Sequence, residues 1–336
     1  MPVANSIHHS NHIYNYFKSL KLGLILSDVY HNHLMTIMVS IFLRGYRGKT
    51  IDFAEVSCQH RTTTAYFLNH GKWNDSELQD VLKRSVIQTI YREALLSGKP
   101  IFCIVDDTIA SHTKPSLQAL HPIEAAYFHQ SHLKGCQDYG HQVVSVMLSC
   151  NGIILNYAVI LYDKSKSKIR IVQEIAEELP VAPVISYFLC DSWYTSAKVM
   201  GSFIRKGFYT IGALKTNRII YPCGIRRKVS EFALHLKKTD SDVSLVTVGG
   251  REFYVYRYEG KLALDKYQIR SRMGIQRYWL IMSLAHYMCC MHSGKYCTFE
   301  EGYRYFQEQI KTEQLMNLHS FIKSGASLEA VLEMGG

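Results

Sequence analysis

Acidic side chains stand at the ends of two apolar runs that the sequence predicts to be buried β-strands. Asp106 and Asp107 end the run "IFCIVDD", and Asp191 ends the run "VISYFLCD". Carboxylates held together at a sheet edge suit Mg²⁺, because oxygen ligands hold the ion and the ion activates a water or 3′-hydroxyl for attack on a phosphodiester. An Asp after a strand is also a common cap of the following turn or helix, and this alternative stays open for Asp107 and Asp191.

The elements that would bring these acids together follow from the changes of hydrophobic period after Pro100. Their order is strand, strand, strand, helix, strand, helix, strand, and Asn151-Gly152 joins the second and third strands as a hairpin. A hairpin followed by right-handed crossovers gives one mixed sheet with helices packed on it. This is the element order of the ribonuclease H-like α/β fold, in which the first and fourth strands are neighbours. Asp107 and Asp191 would then meet at the carboxyl ends of those strands, where open α/β sheets bind their ligands.

Before Pro100 the apolar spacing is helical, which predicts an all-α N-terminal region. Asn74 and Glu77 form a predicted capping box at the start of its last helix, and Gly98 with Pro100 ends that helix. The predicted apolar stripe of this helix consists of Leu78, Val81, Leu82, Ile87, Ile90 and Leu95.

Two shorter helical patterns precede this helix and are joined around residues 57–59. They are compatible with a helix-turn-helix, in which His60, Arg61 and the run from Thr62 to Thr64 open the second helix and face DNA. A plain helical hairpin with a polar N-cap is the alternative that these residues leave open.

The overall charge favours a polyanionic partner. The chain of 336 residues has 38 Lys and Arg against 28 Asp and Glu, which gives a net charge of +10 and a pI near 9.0. Such a balance favours nucleic acid over a neutral metabolite, with a solvated basic surface as the alternative. The first fifteen residues lack the basic-then-apolar layout of a secretory signal, so we expect a cytoplasmic protein.

Two other sequence features have plain structural explanations. The apolar runs "LMTIMVSIFL" and "YWLIMSLAHYMCCM" fall short of the roughly 20 residues that cross a bilayer, so we predict buried helices and no membrane partner. The nine cysteines are predicted to be reduced, buried thiols. A zinc site is the less favoured alternative for one cluster, which consists of Cys289, Cys290, His292 and Cys297.

Three blocks of the sequence together resemble the DDE transposases of bacterial insertion sequences. They are "IVDDT", "LCDSWYTSAKVMGSFIRKGFYTIGALKTNR" and "DKYQIRSRMGIQRYWLIMSLAHYMCC", in the family's order. The likeness extends from "HRTTTAYFLNHGKW" to "GYRYFQEQIKTEQL", which is nearly the whole chain. It implies a ribonuclease H-like enzyme that cuts and joins element ends by hydrolysis and strand transfer with Mg²⁺, or Mn²⁺ in its place. The implied partner is double-stranded DNA, both terminal repeats and target, and a homo-oligomer is left open.

The resemblance also assigns roles to individual residues. Asp107, which stands directly before a Thr, corresponds to the first metal ligand and Asp191 to the second; Asp106 is expected on the other side of the strand because side chains alternate. Lys215, Asn217 and Arg218 follow the fifth strand as candidate phosphate contacts, which position DNA without reading its sequence. A solvated basic turn is the alternative for these three.

The family's third ligand, a Glu, has no counterpart that we can identify. It belongs to a pattern of Tyr, two residues, Arg, three residues, Glu, six residues, Lys. Tyr254 and Arg257 have the first spacing, but Lys261 stands where the Glu belongs. Arg304 and Glu308 have the second spacing, but neither the Tyr nor the Lys of the pattern is present around them.

The simplest explanation is an internal deletion around Leu262 to Leu264. In relatives, the Glu-bearing helix lies between segments like "REFYVYRYEGKL" and "LDKYQIRS", which join directly here. We therefore expect a helical DNA-binding domain at 1–98, a ribonuclease H-like domain without its third-acid helix at 99–262, and a C-terminal helical segment at 263–336.

Loss of that helix has two expected consequences. Hydrolysis and strand transfer should be lost or very weak, and the sheet should need a new cover, for which "GIQRYWLIMSLAHYMCC" is the candidate. Two other functions stay open: a non-catalytic DNA-binding remnant, and a ribonuclease H-like nuclease that uses Glu259 or Glu308 as its third ligand.

Overall fold

A computed structural model describes residues 10–45, 50–57, 60–116, 123–131, 135–236, 244–248, 250–255 and 271–325. Among the described residues before the first strand, the α-helices are α1 (Asn11–Ser19), α2 (Asp28–Arg44), α3 (Thr50–Ser57), α4 (Arg61–His70) and α5 (Asp75–Ser97), and a short 3-10 helix covers Leu22–Leu24. The later helices are α6 (Lys168–Glu178), α7 (Ala197–Ile204), α8 (Val229–Phe232), α9 (Arg272–Met291) and α10 (Phe299–Lys323).

The strands form a large mixed sheet and a smaller one. The large sheet contains β1 (Ile101–Ser111), β2 (Tyr127–Ser131), β3 (Cys136–Cys150), β4 (Ile153–Tyr162), β5 (Ser186–Cys190) and β6 (Phe208–Gly212), in the order β2-β3-β1-β5-β6 with β4 beside β3. The small sheet contains β7 (Ile219–Pro222), β8 (Arg227–Lys228), β9 (Ser244–Val248) and β10 (Arg251–Val255).

The pairing of the large sheet agrees with the predicted topology. β1 pairs antiparallel with β3 and parallel with β5, and β5 pairs parallel with β6. The predicted neighbours, now β1 and β5, are therefore adjacent, and the ribonuclease H-like mixed sheet flanked by helices is confirmed. The sequence prediction did not include β2, which pairs with the start of β3.

The β3–β4 hairpin forms where the sequence predicted it. Asn151 and Gly152 connect the strands with φ angles of 50° and 84°. Both residues are left-handed, as a two-residue hairpin turn with the right twist requires, and Asn and Gly tolerate that conformation best. β4 is thereby fixed along β3 with Cys150 opposite Ile153.

Helix α5 has the predicted ends and a slightly different buried stripe. The Asn74 side chain accepts a hydrogen bond from the Glu77 amide at 3.2 Å, and Gly98 ends the helix with a φ of 66°. The prediction was wrong for Leu95, which is 65% exposed, whereas Ala94 is fully buried. The stripe continues in steps of four residues and so ends at Ala94; it consists of Leu78, Leu82, Val86, Ile90 and Ala94.

The two longest apolar runs are buried helices, as predicted. The first is within α2 and the second within α9. Helix α9 packs along β4 and against α2, α4 and α5, and α10 packs on α9, α2 and α1. One hydrophobic core thus contains side chains from the N-terminal helices, the large sheet and the C-terminal helices. Within the described ranges, no helix combines the length and the apolar character that crossing a membrane requires.

Helix α9 is the predicted cover of the sheet, and it covers the β4 side. Asn156 of β4 donates a hydrogen bond to Ser283 of α9 at 3.0 Å, and the indole of Trp279 lies 6.4 Å from the His141 ring of β3. The other edge of the sheet is more open, because Tyr209 and Ile211 of β6 are 64% and 45% exposed.

Candidate active site

Three Asp residues lie where β5 ends beside the middle of β1. The prediction that Asp106 and Asp107 end the first strand was wrong, because β1 continues along β3 to Ser111. Val105 pairs with Cys190 in the parallel register, so Asp106, Asp107 and Asp191 all follow this pair directly. Burial raises the pKa of Asp106, and the negative charges of Asp107 and Asp191 raise it further. Burial and the charge of Asp107 likewise raise the pKa of Asp191. The parallel register therefore places the three acids at one level of the sheet. The metal and catalytic roles of Asp107 and Asp191 stay predictions.

Three polar side chains hold the Asp107 carboxylate. The Lys168 ammonium lies 2.7 Å from Oδ2, and the Gln142 amide donates to the same oxygen at 2.5 Å. The Tyr194 hydroxyl donates to Oδ1 at 3.1 Å. The side chains of Asp107 and Lys168 are only 14% and 10% exposed, so this ion pair is largely shielded from water. Asp107 is thus both the least exposed and the most engaged of the three acids.

Different elements supply these three partners. Lys168 is the first residue of α6, whose N-cap is Ser167. Gln142 lies on β3 two residues from Val144, the residue paired with Asp107, so it shares a face of the sheet with Asp107. Tyr194 follows β5 and is fully buried; burial and the Asp107 charge raise the pKa of its hydroxyl. A lysine at a helix N-terminus is unfavourable to the helix dipole, and Asp107 offsets this effect.

Asp191 takes part in a turn and is exposed to solvent. Its Oδ1 accepts a hydrogen bond from the Trp193 amide at 3.0 Å, which matches part of the capping alternative. The N-cap of α7 is Ser196, however, so Asp191 is not the cap of that helix.

The ammonium groups of two lysines lie near an exposed indole that follows Asp191. Trp193 is 50% exposed, and the ammonium groups of Lys168 and Lys215 lie 5.1 Å and 4.3 Å from its ring centroid. Lys215 therefore lies at the same edge as Asp191. Arg218 instead donates to the Thr195 carbonyl, which fixes the loop after β6, and Asn217 is in an exposed turn.

The predicted DNA-facing residues lie at the start of α4. His60 is its N-cap and accepts the Thr62 amide at Nδ1, at a distance of 3.4 Å. Arg61 and Thr62 are exposed. The prediction was wrong for Thr64, which is 1% exposed, because it lies on the face of α4 that packs inward with Phe67.

Among the described residues, no group of three or more His, Cys, Asp or Glu side chains is arranged to hold a metal ion. This statement includes the cysteine cluster of α9, where the Cys297 thiol donates to the Cys289 carbonyl at 3.0 Å. Glu308 is on α10, which packs against α9, α2 and α1. Glu259 and the junction at 262–264 lie outside the described residues.

The prediction that cysteines are buried is wrong for Cys136 and Cys223, which are exposed. Cys136 directly follows a turn residue, and Cys223 lies in a turn. All eight described cysteines are free thiols.

The acids suit a divalent cation in their chemistry and in their electrostatics. Carboxylate oxygens are the ligands that Mg²⁺ and Mn²⁺ prefer. Burial raises the pKa values of Asp106 and Asp191, and neighbouring negative charge, which a bound cation would neutralise, raises them further. The Lys168 ammonium already neutralises part of that charge at Asp107.

Sequence reasoning missed Lys168, Gln142 and Tyr194 as parts of this site. Tyr194 is within three residues of Asp191, so its position near the acids could have been foreseen. Lys168 belongs to the basic turn "KSKSK" and gave a weaker signal, because nothing local distinguishes it from Lys164 and Lys166.

A family model matches more than half of the chain. The family model described as "Transposase DDE domain" matches residues 97–286, more than half of the chain and the part that contains Asp107 and Asp191. A search of curated proteins found no match.

Proposed function

Because the chain belongs to the DDE transposase family, we propose that it acts on the DNA ends of a mobile element and that its cutting and joining activity is lost or strongly impaired. The observation that carries the proposal is the position of Asp107, within β1, at the level where the adjacent parallel strand β5 ends and Asp191 follows. In the proposed site these two carboxylates would hold Mg²⁺, or Mn²⁺ in its place. The bound ion would supply Lewis-acid stabilisation of the phosphodiester and activation of its nucleophile.

The surroundings of the acids support a DNA substrate. Lys215 and Lys168 contact the exposed Trp193 beside Asp191, which gives the edge positive charge for a phosphate. Phosphate contacts of this kind position a duplex without reading its sequence. We assign Lys215 this role, and Asn217 in the following turn is a second candidate. Arg218 instead stabilises the loop through its hydrogen bond to the Thr195 carbonyl.

Impairment follows from the number of acidic ligands. A two-metal site with two carboxylates holds Mg²⁺ less firmly than a site with three, because fewer oxygen ligands replace the water that the ion gives up. The sequence offers no Glu at the family's third position, and the described residues offer no group of three ligands.

DNA binding is proposed to depend on the helical region. Arg61 and His60 are at the exposed start of α4, which follows α3 as the second helix of the predicted helix-turn-helix. The net charge of +10 supports the same partner. A non-catalytic protein that only occupies element ends is the second candidate function, and the tight engagement of Asp107 by Lys168 favours it.

One assay distinguishes the two functions. The purified full chain is mixed with duplex DNA that contains the ends flanking its gene, in Mg²⁺ and then Mn²⁺, and nicking and strand transfer are measured beside binding. We expect binding with at most trace cleavage, and we expect Asp191→Asn to remove any trace while Asp80→Asn, on exposed α5 surface, leaves it unchanged.

Two results would change the proposal. Strong, Asp191-dependent strand transfer would show that the site is not impaired. Failure of the chain to bind end-containing DNA more tightly than unrelated duplex would remove the proposed substrate.

A further inference from the structure

The Lys168 ammonium forms an ion pair with the Asp107 carboxylate. We propose that Lys168 is a built-in counter-ion which competes with a divalent cation for Asp107, so that a cation binds Asp107 only when the ammonium leaves. This inference rests on the proposed metal role of Asp107. It goes beyond that role because it assigns a separate residue that sets how strongly the cation binds.

The first support is the closeness and burial of the ion pair. The Lys168 Nζ lies 2.7 Å from Asp107 Oδ2, and each side chain is at most 14% exposed. Charges shielded from water interact more strongly than charges in bulk solvent. The lysine stem is also confined, since the ammonium lies 5.5 Å from the Tyr162 ring and 5.1 Å from the Trp193 ring.

The second support is the number of donors on the carboxylate. An ionised carboxylate has about four acceptor positions. Lys168 and Gln142 use Oδ2, and Tyr194 uses Oδ1, so three donors already converge on Asp107. Mg²⁺ requires oxygen ligands at about 2.0–2.1 Å in a near-octahedral arrangement. Of the three donors, Lys168 alone carries a charge that repels the incoming cation.

The third support is a second location for the ammonium. Trp193 is half exposed, and the ammonium groups of both Lys168 and Lys215 lie near its ring. A short movement of Lys168 away from Asp107 leaves its ammonium on the indole beside Lys215, at the solvent-facing side of the site. Two ammonium groups there suit the oxygens of a phosphate. Cation binding at Asp107 and phosphate binding at Trp193 are then expected to favour each other.

The neighbouring lysine provides a matched control. Lys166 belongs to the same basic turn, but it is 57% exposed and pairs with Glu174 at 3.0 Å. Lys166→Met and Lys168→Met remove the same charge from positions two residues apart. Long-range electrostatic effects are therefore similar in the two variants, and the contact with Asp107 is the main difference between them.

The test measures Mn²⁺ binding to the full chain by electron paramagnetic resonance, without DNA and without any activity readout. We expect Lys168→Met to bind Mn²⁺ at least tenfold more tightly than the wild type, and Lys166→Met to bind it as the wild type does. A thermal melt provides the second measurement: Lys168→Met should melt lower than the wild type without metal and should gain more from added Mn²⁺.

The outcomes separate this inference from the proposed function. Equal affinity of Lys168→Met and the wild type, including no detectable binding by either, overturns the inference. If Mn²⁺ binds but Asp107→Asn leaves the affinity unchanged, the proposed metal role of Asp107 is wrong and the inference fails with it. Should Lys168→Met not fold, Lys168→Gln keeps a neutral donor to Asp107 and is expected to bind Mn²⁺ more tightly by the same reasoning.

Discussion

Replacement of Arg277 tests whether the C-terminal helix α9 fastens the N-terminal helices. The Arg277 side chain is 5% exposed, and its Nε lies 3.1 Å from Asp75 at the start of α5. Its other nitrogens donate to the carbonyls of Leu68 and Trp73 at 3.1 Å and 3.3 Å. The guanidinium carbon lies 4.7 Å from the Trp73 ring centroid. One planar group thus joins α9, α4 and α5.

The expected loss of stability follows from these contacts. Breaking a buried ion pair costs about 3–5 kcal/mol, mainly through the polar groups left without partners. Asp75 is 40% exposed and regains water, which favours the low end of that range. The Leu68 and Trp73 carbonyls lose charged donors, and each such bond contributes about 1.5–3 kcal/mol. We therefore expect Arg277→Met to destabilise the chain by about 3 kcal/mol, or about 5 °C in Tm.

Thermal and urea unfolding, followed by tryptophan fluorescence, measure this effect, because Trp73 and Trp279 are both buried close to the substitution. Arg304→Met is the matched control, since Arg304 is on exposed α10 surface and pairs with Glu300 within its own helix. Arg277→Lys should recover little, because an ammonium does not reproduce the guanidinium fork. A melting temperature for Arg277→Met within 1 °C of the control variant would refute the reasoning.

Three further predictions concern packing and pH. Gly302→Ala should lower the Tm by several degrees, because the added Cβ would lie 2.0 Å from the Cys289 carbonyl oxygen. Gly23→Ala is the control: a Cβ added there has no atom within 4 Å, so the Tm should not change. Burial lowers the pKa of His141 to about 4, so between about pH 4 and 6.5 the folded state binds fewer protons than the unfolded state. The stability of the fold should therefore fall as the pH is lowered through that range. His141→Gln should reduce this dependence of Tm on pH in thermal melts. Tyr209→Ser with Ile211→Thr should reduce binding of a hydrophobic dye without lowering the Tm, and unchanged dye binding would show that the β6 edge is not the exposed apolar surface.

The order of the elements could be predicted from the sequence because each strand or helix is bounded by strong local signals. Asn151-Gly152 fixed the hairpin, and Asn74 and Gly98 fixed the ends of α5. Once the order was known, the handedness of crossovers left few topologies, and the one chosen placed Asp107 beside Asp191. Both acids were therefore within reach of prediction although they are far apart in sequence.

The hydrogen-bond partners of Asp107 could not be predicted from the sequence in this way. Lys168 is one of three similar lysines in a basic turn, and which of them points to the site depends on where α6 begins relative to the sheet. Gln142 gave no signal, because a polar residue on a half-buried strand usually faces water. The details of the site thus depend on the packing of α6 and β3 around β1, which local pattern does not encode.

The packing of α9 also bears on what DNA binding requires. The carbonyls of Leu68 and Trp73 at the end of α4 are held by Arg277 of α9, and the Gln307 side chain of α10 donates to the Phe42 carbonyl of α2 at 2.7 Å. The helices proposed to bind DNA are therefore supported by helices that follow the sheet in the chain. A fragment ending at residue 98 lacks these supports and exposes the surfaces of α4 and α5 that they cover, so it should present α4 poorly. A chain that lost the segment between "EGKL" and "LDKY" but kept α9 and α10 keeps the supports, so DNA binding can survive a change that removes a catalytic acid.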